Sequence, residues 1–338
     1  MTDHPILQVT ESPHLVGDST TREIMKWVLI ALMPSTLLAG FLFGWRVYGL
    51  FFLALLTAQV CEILWFKLRG QALTWDLSAL VTAVLLTMNL PPSAPWYFPV
   101  IGSSFAIIVV KECFGGLGYN FLNPALGGRA LLVALFFEGM FKISWPNPPF
   151  ARIAPDAVTQ ATPLAQMKES GQALTSAELW QAFLGNTGGR IGETSSLLLL
   201  LAFIFLVYKK IIQPQVPLII LATVALGAWL FAGDGGLADW RLVLGQVLSG
   251  GLLLGAIFMA TDYASSPSTS FGQVLYGFGI GVLIVVFRFW GATSEGVSYA
   301  ILTMNCATPL IDRLFRQRVL GEKATLGKLK IKGWGGTS

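Results

Sequence analysis

Ten apolar stretches, each close to the length needed to cross a lipid bilayer, dominate this 338-residue chain. A helix needs around 20 mostly apolar residues to span a hydrocarbon core about 30 Å thick, and roughly 17 to 25 are tolerated. Hydrophobic residues make up 54% of the sequence and charged residues only 12%, against roughly 25% in soluble domains. The sequence therefore predicts an all-α polytopic membrane protein. The ten predicted transmembrane helices are 24–44, 47–66, 73–90, 97–110, 124–141, 195–212, 216–232, 242–260, 271–289 and 296–312.

One long polar segment separates these spans into two groups of five. The predicted organisation is an N-terminal tail (1–23), a first five-helix half (24–141), the polar loop (142–194), a second five-helix half (195–312) and a basic tail (313–338). An odd number of spans per half places equivalent helices in opposite orientations, as in the inverted-topology repeats of many transporters. Similar segments of polar and turn-forming residues occur in both halves, for example Asn89–Pro95 and Thr261–Pro267. We expect two inverted repeats; the alternative is that membrane loops simply favour turn-forming residues.

Lysine and arginine are distributed unevenly among the predicted loops, and this bias predicts orientation. With a cytoplasmic N-terminus, the inner segments hold Arg22, Lys26, Lys67, Arg69, Lys111, Lys209, Lys210 and the seven basic residues Arg313–Lys332, whereas the short outer loops hold Arg46, Arg241 and Arg288. We therefore predict that both termini are cytoplasmic and that the 142–194 loop faces outward, which in a bacterium with two membranes means the periplasm. The net charge of +4 fits this topology and contact with anionic membrane lipid, so no nucleic-acid partner is expected.

The sequence predicts no metal site and no complete active site in this chain alone. Cys61, Cys113 and Cys306 are scattered without CxxC spacing, and the two histidines, His4 and His14, lie in the polar N-terminal tail. No phosphate-binding GxxxxGK[ST] motif is present either. If electrons pass through this protein, an organic cofactor must carry them.

The polar loop contains Asp156-Ala-Val-Thr-Gln-Ala-Thr162-Pro, a candidate site for attaching a flavin phosphate to the Thr162 hydroxyl. Such attachment needs an accessible hydroxyl, and we expect this one to be exposed to water. Pro163 keeps Thr162 out of helical geometry, and Ala161 adds little bulk beside the hydroxyl. The alternative is that Thr162 simply caps a helix that begins at Pro163.

A second copy of the core motif, Ala307-Thr308-Pro309-Leu310, lies at the predicted cytoplasmic end of the last span. It lacks the acid and the first hydroxyl that Asp156 and Thr159 supply in the loop. Both its sequence and its predicted side of the membrane therefore favour Thr162.

The motif Asp-x-x-Thr-x-Ala-Thr at 156–162 resembles the flavin-transferase target of the RnfD/NqrB family. Two more segments, Gly115–Ala125 and Ala260–Pro267, also resemble segments of that family, so the resemblance covers nearly the whole chain. Gln160 differs from the glycine that is usual in the motif. The short N-terminal tail favours the RnfD branch, also called RsxD, over the longer NqrB.

The resemblance implies a membrane subunit of an Rnf complex, which links electron transfer between ferredoxin and NAD to sodium or proton translocation. It implies FMN joined to Thr162 by a phosphoester, with Asp156, Thr159 and Ala161 as motif neighbours. A flavin transferase would attach the FMN, and the partners would be RnfA, RnfB, RnfC, RnfE and RnfG. It also implies a second, noncovalent flavin, riboflavin, among the helices.

Ionisable and amide side chains within the spans are further candidates, because polar groups at membrane depth are costly and often functional. Glu62 is a candidate for an ion path, or it pairs with Lys67 or water. Arg129 is expected to pair with Glu112 or with a neighbouring subunit. Asn120 and Asn123 follow a glycine-rich turn that either holds a polar ligand, such as the second flavin, or serves as a re-entrant hinge.

Two rival functions remain open from the sequence. A ten-helix channel or carrier for a small solute would have much the same architecture, but it would not need a flavin at Thr162. A structural anchor for neighbouring subunits would tolerate loss of Thr162 without any effect on electron transfer.

Overall fold

The structure, a computed structural model, describes residues 20–142, 162–171, 173–193, 195–231, 239–291 and 296–315. Within these ranges all regular secondary structure is helical, which confirms the predicted class. The first helices are α1 (Thr21–Phe43), α2 (Trp45–Leu68), α3 (Ser78–Met88), α4 (Tyr97–Phe105), α5 (Pro124–Leu135), α6 (Phe137–Met140), α7 (Pro163–Ser170) and α8 (Ser176–Leu184). The later ones are α9 (Ser196–Tyr208), α10 (Gln215–Phe231), α11 (Trp240–Leu248), α12 (Leu252–Leu254), α13 (Ser270–Trp290) and α14 (Val297–Leu314).

Every predicted span contains a helix, but the helices differ in length. Among the described residues, α1, α2, the α4 segment to Phe114 and α13 are long and apolar enough to cross a membrane. The bent pair of α11 and α12 makes a fifth span if it is counted as one. Helices α3, α5, α9 and α10 are apolar but shorter. The division into two inverted halves stays a prediction.

Specific residues limit the length of two short helices, α3 and α5. Helix α3 begins at Ser78 rather than at residue 73, because Asp76 Oδ1 accepts hydrogen bonds from the Ser78 amide at 2.9 Å and from its hydroxyl at 2.6 Å. It ends before Pro91 and Pro92. Helix α5 was expected to reach residue 141, but Phe136 leaves helical geometry, with φ −135° and ψ 52°.

The eighth predicted span is broken rather than continuous. Helices α11 and α12 meet at a bend of 59°. The break consists of Ser249, Gly250 and Gly251, and both glycines adopt positive φ angles of 73° and 66°. This conformation suits glycine because it has no Cβ. After the break, the span continues through α12 into a π-helix, Gly255–Met259.

Similar helix pairs form in each group of spans. Helix α2 packs against α4, and α10 packs against α13. Helix α4 also packs against α5, as α13 does against α14. The two groups meet where α5 contacts α14 and where α1 contacts α9. Helix α3 lies at the centre and is buried on nearly all sides, so it needs no polar face.

Large apolar side chains on the outer helices are exposed, among them Phe52, Leu201, Ile204 and Phe278. An exposed surface of this kind is unfavourable in water and suits contact with lipid tails. The exposed side chains therefore agree with the membrane assignment made from composition.

Candidate functional site

Thr162 caps the N-terminus of α7. Its backbone is extended, with φ −62° and ψ 154°, and its Oγ1 accepts a hydrogen bond from the Ala165 amide at 3.2 Å. Pro163 is the first residue of the helix. Its lack of an N–H costs nothing there, because the first N–H groups of a helix have no partner within the helix. Thr162 thus acts as the helix cap, and the attachment of a flavin to its hydroxyl stays a prediction. The expectation of an exposed hydroxyl is wrong, because Thr162 is only 6% exposed.

Thr162 is buried because α7 packs on the neighbouring elements. Leu164 and Met167 on α7 form a small apolar cluster with Leu174 and Leu179. The cluster fits against α11 where Gly245 presents no side chain; a Cβ there would lie 2.7 Å from Met167 Sδ. The motif neighbours Asp156, Thr159 and Ala161 lie outside the described residues.

A small cavity of about 10 Å³ lies beside Thr162. Its walls come from three parts of the chain, and its lining residues are Thr162, Pro163, Leu164, Thr187, Gly188, Glu193, Leu248, Ser249 and Gly250. A Cβ on Gly250 would lie 2.6 Å from Leu164 Cδ2 and 3.0 Å from Arg288 Nη2. The absence of that Cβ keeps this wall of the cavity close to Thr162 without a clash. The cavity has room for about one water molecule, so a phosphate on the Thr162 oxygen would require the surrounding residues to move apart.

Deeper in the molecule, buried polar groups converge on Asn89 at the C-terminal end of α3. Arg129 donates to Asn89 Oδ1 at 3.0 Å and also to the Ser298 hydroxyl of α14. Arg190 donates to the Asn89 carbonyl at 3.1 Å. Glu112 lies beside Lys111 instead, so the expected pairing of Arg129 with Glu112 is wrong. Arg129 joins the two groups of helices through hydrogen bonds.

Glu62 pairs with Lys111 rather than with Lys67, so that expectation is also wrong. The Lys111 ammonium lies 2.6 Å from Glu62 Oε1, and it also donates to Ser78 Oγ at 2.7 Å. Lys111 ends the π-helix that continues α4. From the sequence, Lys111 was interpreted only as a marker of topology. The sequence held one signal for this role, because Lys111 ends an apolar run and directly precedes Glu112. A lysine at such a position can also pair with an acid on a neighbouring helix, here Glu62.

A larger cavity, of about 80 Å³, lies between the two groups of helices. The structure places Asn120 and Asn123 together in its wall, along with Lys111, Thr261 and Asp262. It does not place Glu62 or Arg129 there. The mainly apolar lining with a few converging polar groups is typical of sites for small organic molecules.

Asp262 is a polar residue of this cavity that was not predicted from the sequence, although it lies within the family-like segment Ala260–Pro267. Its Oδ2 accepts hydrogen bonds from Asn120 at 3.3 Å and from Ser265 at 3.1 Å. Burial raises the pKa of the Asp262 carboxyl, and these hydrogen bonds oppose the rise. Asn123 caps α5 and donates to the Met259 carbonyl at 3.2 Å, so it has a structural role as well.

Comparison with known proteins identifies the family. A model of the NQR2, RnfD, RnfE family matches residues 8–321. The chain belongs to this family. It is 43% identical over 321 residues to the subunit named D in the Na(+)-translocating ferredoxin:NAD(+) oxidoreductase complex of Acetobacterium woodii, covering 93% of this chain and 95% of that protein.

Two more relatives are similar over almost their whole length. The corresponding subunit of the proton-translocating ferredoxin:NAD(+) oxidoreductase complex of Clostridium ljungdahlii is 39% identical, covering 91% of this chain and 94% of that protein. The corresponding subunit of the ion-translocating oxidoreductase complex of Stutzerimonas stutzeri is 37% identical, covering 94% and 96%. The resemblance inferred from the motifs is confirmed at the level of the family.

Proposed function

We propose that this protein is the RnfD-type membrane subunit of an Rnf complex that couples electron transfer between ferredoxin and NAD to ion translocation. The observation that carries the proposal is the 43% identity to the Acetobacterium woodii subunit over 93% of the chain. The named relatives include a sodium-translocating and a proton-translocating complex, so both ions fit this family. The partners are the other Rnf subunits, RnfA, RnfB, RnfC, RnfE and RnfG, in a bacterial inner membrane.

We propose further that FMN is bound to Thr162 through a phosphoester, attached by a flavin transferase. The family motif supports this assignment. A flavin supplies one- or two-electron chemistry, and the protein fixes its position and its exposure to solvent. Because Thr162 is buried and caps α7, the transferase must reach it before α7 packs or when α7 moves away.

A second, noncovalent flavin, riboflavin, is proposed for the cavity between the helix groups. The side chains of Asn120, Asn123 and Asp262 offer both hydrogen-bond donors and acceptors at its wall. Such groups suit the polar edge of a flavin ring, while the apolar lining suits its faces.

Attachment can be tested by co-expressing the chain with a flavin transferase and viewing a denaturing gel under ultraviolet light. Thr162→Ala and Thr162→Asn should both abolish the fluorescent band. Asparagine is an effective helix cap without a hydroxyl, so Thr162→Asn separates loss of attachment from loss of the cap. Thr308→Ala is the matched control, since Thr308 occupies the second copy of the motif and its hydroxyl donates to the Ser265 carbonyl at 2.9 Å.

The band should persist in Thr308→Ala. A wild-type protein without fluorescence, despite a competent transferase, would contradict flavin attachment and favour the solute carrier. A band that survives Thr162→Asn would place the flavin on another residue.

A further inference from the structure

Basic side chains from two helices meet at one end of the contact between α1 and α9. Trp27 of α1 packs edge-on against Phe205 of α9, with 5.9 Å between the ring centroids. Two ammonium groups lie over the same Trp27 ring, at 5.9 Å from its centroid for Lys26 and at 4.4 Å for Lys209. One lysine from each group of helices is thus held beside a single aromatic ring.

The turn that ends α9 fixes the position of its lysines. Lys210 adopts a left-handed backbone conformation with φ 56°, and its amide donates to the Val207 carbonyl at 2.9 Å. The Ile211 amide donates to the Leu206 carbonyl at 3.0 Å. These two hydrogen bonds form a Schellman motif, in which the left-handed position is usually a glycine. The motif closes the helix directly after Lys209, so this lysine stays at the helix end next to α1.

The positive charge of this cluster is not neutralised by a carboxylate. Lys26, Lys209 and Lys210 are exposed, and none of them forms an ion pair with an acid among the described residues. Glu23 lies one helical turn before Lys26, but it belongs to the capping box of α1, where its carboxylate accepts from the Thr20 amide at 3.4 Å. A cation over an exposed aromatic ring gains modest stabilisation, and two cations at one ring repel each other. An anion bound between them would remove this repulsion.

Exposed apolar side chains continue from this basic cluster along both helices. On α1, one face of the helix carries exposed residues at four, seven and eleven positions after Lys26, which are Ile30, Met33 and Leu37. On α9, the exposed large side chains also share one face, and they are Leu201, Ile204 and Tyr208. A basic end above apolar surfaces matches the chemistry of an anionic phospholipid, which has a charged phosphate and apolar tails.

From these observations we propose that Lys26, Lys209 and Lys210 form a binding site for one anionic phospholipid. Its headgroup phosphate lies between the Lys26 and Lys209 ammonium groups, and its acyl chains lie along the exposed apolar faces of α1 and α9. In the predicted orientation the lipid belongs to the cytoplasmic leaflet, which is the leaflet that attracts basic segments through its anionic lipids. Because α1 and α9 belong to different groups of helices, the bound lipid joins the two groups.

The test measures which lipids remain bound to the full-length protein in mild detergent. The protein is equilibrated with equal amounts of phosphatidylglycerol, which is anionic, and phosphatidylcholine, which is zwitterionic, and native mass spectrometry reports the occupancy of each. Wild-type protein should retain phosphatidylglycerol in preference. Each basic side chain beside an anionic headgroup contributes about fivefold in affinity, so the double variant Lys26→Gln with Lys209→Gln should bind phosphatidylglycerol about 25-fold more weakly.

Two further double variants separate this site from a general effect of charge. Lys67→Gln with Arg313→Gln is the matched control, because it removes two exposed positive charges from other segments predicted to be cytoplasmic. It should bind phosphatidylglycerol as wild type does. Lys26→Arg with Lys209→Arg keeps both charges and should also retain binding. Equal losses in the two glutamine pairs, or equal retention of the two lipids by wild type, would overturn the site.

A competition experiment distinguishes a lipid from a free anion. Inorganic phosphate, compared with chloride at the same ionic strength, should not displace phosphatidylglycerol from wild-type protein, because free phosphate lacks the acyl chains. Displacement by phosphate would assign the cluster to a free anion and overturn the lipid site. Thermal unfolding in detergent without lipid checks that each variant is folded. If the glutamine pair is unstable, Lys209→Gln alone decides instead: a loss of about fivefold in affinity supports the site, and unchanged affinity overturns it.

Discussion

Lys111 Nζ lies 2.6 Å from Glu62 Oε1, and both residues are almost fully buried. Glu112 Oε1 is 3.4 Å from the same ammonium. One lysine therefore lies between two acids from different helices, at a point where α2, α3 and the π-helix meet. A buried charge without such partners would be strongly unfavourable.

Loss of the lysine should destabilise the protein more than loss of either acid. Lys111→Met leaves Glu62 and Glu112 buried without a cation, and we expect a decrease in unfolding free energy of about 3–5 kcal/mol. The measurement is the unfolding midpoint in detergent. Lys67→Met is the control, because Lys67 is exposed near the end of the same helix as Glu62. Equal midpoints for the two variants would show that the buried pair does not stabilise the fold.

Binding of a noncovalent flavin should depend on Asn120. Its side chain donates to the Leu122 carbonyl at 3.0 Å and to Asp262 at 3.3 Å, so Asn120→Ala changes the polar wall without removing a helix cap. We expect flavin affinity to fall by about five- to tenfold, the effect of one or two lost hydrogen bonds. Acid extraction followed by chromatography gives noncovalent flavin per protein. Asn186→Ala, at an exposed position, serves as the control, and an equal flavin content in both variants would remove Asn120 from the site.

Close approach of α4 and α5 should depend on Gly128. A Cβ there would lie 2.6 Å from the Gly102 carbonyl oxygen, which is backbone and cannot move aside cheaply. Gly128→Ala should therefore destabilise the protein by about 1–3 kcal/mol through overpacking. Gly49→Ala is the matched control, because nothing lies within 4 Å of its added Cβ. Gly49→Ala should be neutral or slightly stabilising, because alanine has a higher helix propensity than glycine. Thermal unfolding in detergent measures the stability of both variants. A Gly128→Ala protein as stable as wild type would contradict the close packing.

Membrane orientation can be read from cysteine labelling. Gln181→Cys places a thiol on the exposed face of α8, in the segment predicted to be periplasmic. Cys113 is exposed near the predicted cytoplasmic end of the α4 segment. A membrane-impermeant maleimide applied to spheroplasts should label the introduced cysteine and spare Cys113 until the membrane is opened. Labelling of Cys113 in sealed spheroplasts would reverse the predicted topology.

The sequence allowed all ten helical segments to be predicted, because long apolar runs in a bilayer have few structures available. Helix ends were less predictable. The first turn of α3 depends on one Asp76 side chain, and the break at Ser249–Gly251 depends on glycines that elsewhere lie within continuous helices. A run of apolar residues does not show which of its glycines adopts a positive φ.

The partners of buried charges could not be predicted from spacing. Glu62 meets Lys111, 49 positions later, and Arg129 meets Ser298, 169 positions later, so both contacts depend on how distant helices pack. The burial of Thr162 has the same origin, because Leu164 and Met167 of α7 pack closely against Gly250 and Gly245, far along the chain. The motif made this threonine a candidate, whereas its exposure depends on contacts far along the chain.

Asn89 links the cavity beside Thr162 to the centre of the helix bundle. Its carbonyl accepts from Arg190, which neighbours the Thr162 cavity through Glu193, and its side-chain oxygen accepts from Arg129. Its amide nitrogen is also engaged, since it donates to the Leu85 carbonyl at 2.7 Å. Asn89 therefore cannot move toward one arginine without weakening its hydrogen bond to the other. A shift of the buried Arg190 can therefore be passed through Asn89 to the contact between α5 and α14 without the sliding of a whole helix.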